Sequence, residues 1–148
     1  MIDLLAAWAL ISAAAQTPAA APPDAGWTWT LYADDSPVVL ANEVPDTAHL
    51  RATLECEPGQ SVAHLTLYGG EGDGGMARVS AGEVTAVAEA SAARAGGVKL
   101  ALRTDHPVFA AFGVRGRLAV TVGQHRRTVE VASPHLAKLR RFAELCSG

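Results

Sequence analysis

The chain has 148 residues, 49% hydrophobic and 18% charged, a balance that fits one globular domain and excludes a disordered or low-complexity chain. Aromatic residues make up only 5%, so a core has to be assembled mainly from Leu, Val and Ala. The net charge of −3 hides a division: 2 basic and 12 acidic residues precede Arg94, whereas 10 basic and 2 acidic residues run from Arg94 to Arg141.

Leu4 to Ala15 is a run of 12 mostly apolar residues. A membrane-spanning helix needs about 20, whereas the apolar region of a secretory signal needs about 7–15. Ala13-Ala14-Ala15 provides small residues for cleavage, with a second candidate at Ala19-Ala20-Ala21. Asp3 stands where Lys or Arg is usual, so only the α-amino group is positive there. Residues 1–15 read as a signal peptide, and export to the periplasm or beyond is expected. The Pro- and Ala-rich segment 16–25 reads as a flexible lead-in, and 26–148 as a single β-rich domain.

Trp27, Trp29 and Leu31 alternate with Thr28, Thr30 and Tyr32, the period of a strand with one apolar face. Ser36-Pro37 breaks it, and Val38 to Leu40 reads as a short strand. Leu50, Ala52, Leu54 and Cys56 share one face of the next strand, followed by a Pro58-Gly59 turn and a return strand with Leu65 and Leu67 inward. Ala77 to Ser80 reads as a short strand after a glycine-rich loop. Glu83 to Arg94 alternates like a strand but is Ala-rich like a helix; the flanking Gly82 and Gly96-Gly97 tip it to strand. Val98, Leu100 and Leu102 mark another strand. Asp105 is the expected cap of a helical turn from Pro107 to Phe112 that stops at Gly113. Leu118, Val120 and Val122 pair with Val129 and Val131 as a second hairpin. A last helix is expected with Ser133 as N-cap and Pro134 in its first turn. Its apolar stripe is Leu136, Leu139, Ala143 and Cys146.

The fold class read from this order is mainly β: an antiparallel β-sandwich or barrel-like sheet with a C-terminal α-helix. Cys56 and Cys146 both point to the core by period counting, and in an oxidising compartment they are expected to join as a disulfide that pins the helix to the sheet. No C-x-x-C spacing suggests a catalytic dithiol.

No motif names a reaction. The five histidines, His49, His64, His106, His125 and His135, include no H-x-x-x-H pair. Asp34-Asp35 sits in an Ala-Asp-Asp-Ser-Pro turn, where side-chain turn bonds are the simpler role. The glycine-rich loop lacks the features of a phosphate-binding loop, and no G-x-S-x-G elbow is present. Neither a cofactor nor a metal is expected. Nucleic acid is not an expected partner, because the basic half holds only Phe109, Phe112 and Phe142, which suit a core. The charge division reads most simply as neighbouring strands that neutralise each other. The sharper reading is a basic face drawn from Arg115, Arg117, Arg126, Arg127, Lys138 and Arg141, suited to an anionic envelope component.

Trp27-Thr28-Trp29, Leu54-Glu55-Cys56 and the closing Leu139-Arg140-Arg141-Phe142-Ala143-Glu144-Leu145-Cys146 follow an order that resembles small exported bacterial envelope proteins. VasI-like type VI secretion-associated proteins and invasion-associated locus B proteins are similar at this level. The resemblance spans most of the chain after the lead-in. It implies a β-sandwich-like envelope protein and carries over no functional residue. The expected function is non-enzymatic, a binding or accessory role with a macromolecular partner. The alternatives are a small periplasmic hydrolase whose site assembles in space around His64 or Asp35, and a secretion-accessory structural subunit with a flat apolar patch.

Overall fold

The computed structural model describes residues 25–148 apart from Glu71, Asp73 and Ala95. The signal peptide read at 1–15, and all of the lead-in except Ala25, lie outside the described residues.

Among the described residues nine strands form one antiparallel sheet: β1 (Thr28–Tyr32), β2 (Val38–Glu43), β3 (Leu50–Cys56), β4 (Val62–Tyr68), β5 (Gly75–Ala81), β6 (Val84–Ala92), β7 (Gly97–Arg103), β8 (Arg117–Val122) and β9 (His125–Glu130). Their spatial order is β1-β2-β3-β4-β7-β6-β5-β8-β9. Helix α1 (Pro107–Arg115) links β7 to β8, and helix α2 (Leu136–Cys146) ends the chain. The sheet curls into a half-barrel, and both helices fill its concave side.

The alternation seen in the sequence places the core. In register across the sheet, Leu40 faces Leu54, Leu54 faces Leu65, Leu65 faces Leu100 and Leu100 faces Ala90. All five side chains are buried. The strand reading at Glu83 to Arg94 is right: β6 pairs with β5 from Val84 to Ala90, and its inward Ala86 and Ala88 pack against the core on the side that α1 covers. Gly97 permits the tightest strand contact, because a Cβ there would lie 1.8 Å from the Leu67 carbonyl oxygen.

All three phenylalanines lie in the helices. Phe109 and Phe112 of α1 meet edge-to-face at 6.0 Å, and Phe142 of α2 lies 6.5 Å from Phe109. All three are buried and belong to the core between sheet and helices.

The disulfide joins Cys56, the last residue of β3, to Cys146, the last of α2, with Cα atoms 5.8 Å apart. Beside it the β3–β4 turn completes the helix end. The Gly59 N–H donates to the Leu145 carbonyl and the Ser61 N–H to the Cys146 carbonyl. Helical carbonyls at a C-terminus lack partners within the helix, and this turn supplies them.

Both helix starts differ from expectation. The cap of α1 is His106, whose Nδ1 accepts the Val108 N–H at 3.0 Å. Asp105 instead bonds the Arg103 guanidinium at 2.6 and 2.8 Å. Gly113 does not stop α1; a Cβ there meets nothing, and the helix runs on to Gly116 in the left-handed region. At the other helix, Ser133 and Pro134 form a 3₁₀ turn with His135, and α2 starts at Leu136 without a side-chain cap.

Candidate functional site

Curling brings the sheet's two outer strands together at one end. The Trp29 indole of β1 donates to the Glu130 carbonyl of β9 at 3.0 Å. The Lys138 ammonium of α2 donates to the Trp29 carbonyl at 2.6 Å. Arg127 of β9 shares strand parity with Val129 and reaches across the half-barrel to the end of β4. Its guanidinium donates to the carbonyls of Leu67 (3.2 Å), Tyr68 (2.6 Å) and Gly69 (2.9 Å). The acceptors of the Trp29 and Lys138 bonds are carbonyls of the two outer strands, whereas those of Arg127 lie at the end of the inner strand β4.

Next to these ties lies an open cleft of ≈ 990 Å³ at the mouth of the half-barrel. The starts of β1 and β3 and the ends of β2 and β4 form one wall, and β9 with its continuation to α2 forms the other. Trp29, Ala52, Leu67 and Val129 contribute apolar surface. The charged residues along it are Arg51, Arg115, Arg117 and Arg127 against Glu130. Positive charge therefore predominates, in a concave place where it acts at short range.

The arginines are held differently. Arg51 lies over the Trp27 ring, 4.0 Å from its centroid. Arg117 is exposed and pairs with Glu130 at 3.5 Å, a contact that water weakens. Burial disfavours the Arg127 cation and lowers its pKa, while the three carbonyls hold it in place. Arg115 lies against Gly82 at the β5–β6 turn, so its charge sits at the margin of the cleft.

Among the described residues, Asn42 Oδ1 and His135 Nδ1 of cleft residues are buried without a hydrogen-bond partner. Such atoms cost free energy unless a partner supplies the bond.

The six residues read from sequence as a basic face do not form one surface. Arg115, Arg117 and Arg127 line the cleft. Lys138 is turned to the Trp29 carbonyl, Arg126 is exposed at the start of β9, and Arg141 pairs with Glu144 at 3.2 Å on the outside of α2. Among the described residues, the recorded ion pairs join Arg103 to Asp105, Arg117 to Glu130 and Arg141 to Glu144. Two of them use the acids within Arg94–Arg141, and the third uses Glu144 just beyond it. His64 is exposed on the convex face opposite Glu55, and Asp35 is exposed in the β1–β2 turn, so neither enters the cleft. Among the described residues no group of three metal-ligating side chains converges.

Sequence reasoning missed Asn42, Arg51 and His135 as cleft residues, because their meeting depends on the curl of the sheet. One signal was available: Arg127 occupies an inward parity position beside Val129 and Val131.

Comparison with protein-family models, with curated proteins and with solved structures finds no match.

Proposed function

We propose that this chain is an exported, non-enzymatic envelope protein that holds an anionic envelope component in the cleft at the mouth of the half-barrel. The observation that carries this reading is the lining of that cleft: four arginines and one glutamate around an apolar floor with Trp27 and Trp29. Such a site attracts negative charge and offers aromatic surface at the same place.

The N-terminal apolar run and the Cys56–Cys146 disulfide support export, since such a bond persists in oxidising compartments. The motif order resembling VasI-like and invasion-associated locus B proteins supports an envelope role. A secretion-accessory subunit would want a flat apolar patch. Met76 and Val87 are exposed on β5 and β6, at 62% and 66%, but each faces a charge across the strands: Met76 opposite Glu89 and Val87 opposite Arg78.

Immobilised protein is expected to retain an anionic component from an envelope extract at low salt and release it as salt rises. An R51Q/R117Q double variant with unchanged circular dichroism should retain several-fold less. Equal retention by both proteins, or none by the wild type, would contradict the proposal.

A further inference from the structure

We infer that the mouth of the half-barrel takes an extended acidic polypeptide segment, which adds as a further strand to the outer edge of β9. The inference rests on the reading above that this cleft holds a partner, and it names the partner's class. The selecting groups are backbone atoms of β9, not the arginines along the cleft.

The β8–β9 register decides which backbone groups are on offer. Arg117 faces Glu130 in that pair, and one step on the Val131 N–H donates to the Gly116 carbonyl. Bonding positions alternate along an antiparallel pair. Val129 and Arg127 therefore turn their backbone groups to β8, and Arg126, Thr128 and Glu130 turn theirs away. The Glu130 carbonyl agrees with this direction, since it accepts the Trp29 indole across the mouth. Among the described residues no hydrogen bond reaches the N–H or carbonyl of Arg126 or Thr128, or the N–H of Glu130. An inward charge can blunt such an edge, but the Arg127 guanidinium is committed to carbonyls at the end of β4.

Strand direction fits an added strand as well. Every neighbouring pair in the sheet is antiparallel, so β1 and β9, first and ninth in order, run the same way. They cannot continue the antiparallel ladder with each other, whereas one strand between them is antiparallel to both. The cleft lies at that place: Thr128 and Glu130 are on one wall, and Trp27, Thr28 and Trp29 are on the other.

Side chains set the partner's chemistry. Alternate residues of an added strand turn inward beside Val129, and the others lie outward beside Arg126 and Thr128. Arg126 is exposed, faces Thr121 on β8 and has no ion pair among the described residues. A carboxylate opposite it is favourable. The expected segment alternates apolar and polar residues, one of the polar ones acidic. A second copy of the chain is the competing occupant, since two β9 edges meeting at Thr128 would set Arg126 against Glu130. That copy would bring its own β8 in behind its β9, and the wall of Trp27, Thr28 and Trp29 stands on that side.

The test is selection of a random short-peptide library, displayed on phage, against the full protein, followed by NMR titration of the selected peptides. They are expected to alternate apolar and polar residues around an Asp or Glu, and to slow hydrogen exchange at the Arg126 and Thr128 amides. Thr128→Pro removes an outward N–H that β8 does not use, a change an outer strand tolerates, and should weaken them about ten-fold or more. Arg126→Glu keeps the backbone intact and guards against misfolding of the first variant. It should replace the selected Asp or Glu by Lys or Arg in a repeated selection. Inorganic polyphosphate, titrated alongside, reports on the anion site alone; R51Q/R117Q should weaken it and Thr128→Pro should not. Peptides that bind both variants as tightly as the wild type, or a library that yields none, would overturn the added strand. Polyphosphate binding would in that case keep the anion site, and its absence would remove that reading too. A dimer in sedimentation that Thr128→Pro dissociates would overturn the inference in favour of a second copy.

Discussion

Arg127 illustrates how a single side chain serves the architecture. It starts on an outer strand, crosses the half-barrel and ends on the carbonyls of Leu67 and Tyr68 in β4 and of Gly69 just beyond it. Hydrogen bonds from a charged donor contribute more than neutral ones, and carbonyls left without partners in a partly buried place are costly. Arg127→Met is therefore expected to lower stability by about 1–3 kcal/mol in urea unfolding. Arg126→Met, one position along with its side chain exposed, should change little. The sequence marked both residues as basic and gave no measure of their difference except parity. Tyr32 carries a second residue-level test. Its hydroxyl donates to the Glu43 carboxylate, which raises the phenol pKa above the usual 10.0. The folded state binds that proton more tightly than the unfolded state. The contribution to stability is thus complete below the ordinary phenol range and is lost as pH rises through the raised value. Absorbance titration should show one tyrosine ionising late, and Glu43→Gln should move it back towards 10.0.

At the scale of elements, α2 depends on what meets its ends. Its start lacks a side-chain cap, while its C-terminus is tied by the disulfide and by the Gly59 and Ser61 N–H groups. Cys146→Ser is expected to cost about 2–5 kcal/mol in chemical denaturation while far-ultraviolet dichroism keeps the sheet signal. Gly116 is the second critical point. A Cβ there would lie 2.2 Å from the Val131 carbonyl oxygen, at a φ of +71° that side chains resist. Gly116→Ala should cost about 2 kcal/mol or more in the same assay, whereas Gly113→Ala, facing open space, should be neutral or slightly stabilising. Strand parity and the helix stripe were legible because periodicity is local. Helix boundaries were less so. Asp105 is of the type that caps helices, but its carboxylate is held by Arg103 and the cap one residue on is His106. Between Gly113 and Gly116, a neighbouring backbone decides which must be glycine.

For the whole molecule, the disulfide was legible because parity at Cys56 and the stripe at Cys146 each point inward. The cleft was not, since it arises from curling that brings β1 to β9 across more than 100 residues of chain; Trp29 and Glu130 are separated by 101. Export is testable by mass spectrometry of the protein from its native cell: an N-terminus between Gln16 and Ala25 with both cysteines oxidised is expected, and an intact Met1 with free thiols would contradict it. The central claim is that binding occurs at the mouth of the half-barrel. The most direct measurement is an amide and indole chemical-shift map recorded as the envelope component retained by the immobilised protein is added back. The account predicts changes confined to Trp27, Trp29, Asn42, Arg51 and Arg127 with their neighbours. Changes centred on the convex face, at His64, Lys99 and Arg78, would contradict it.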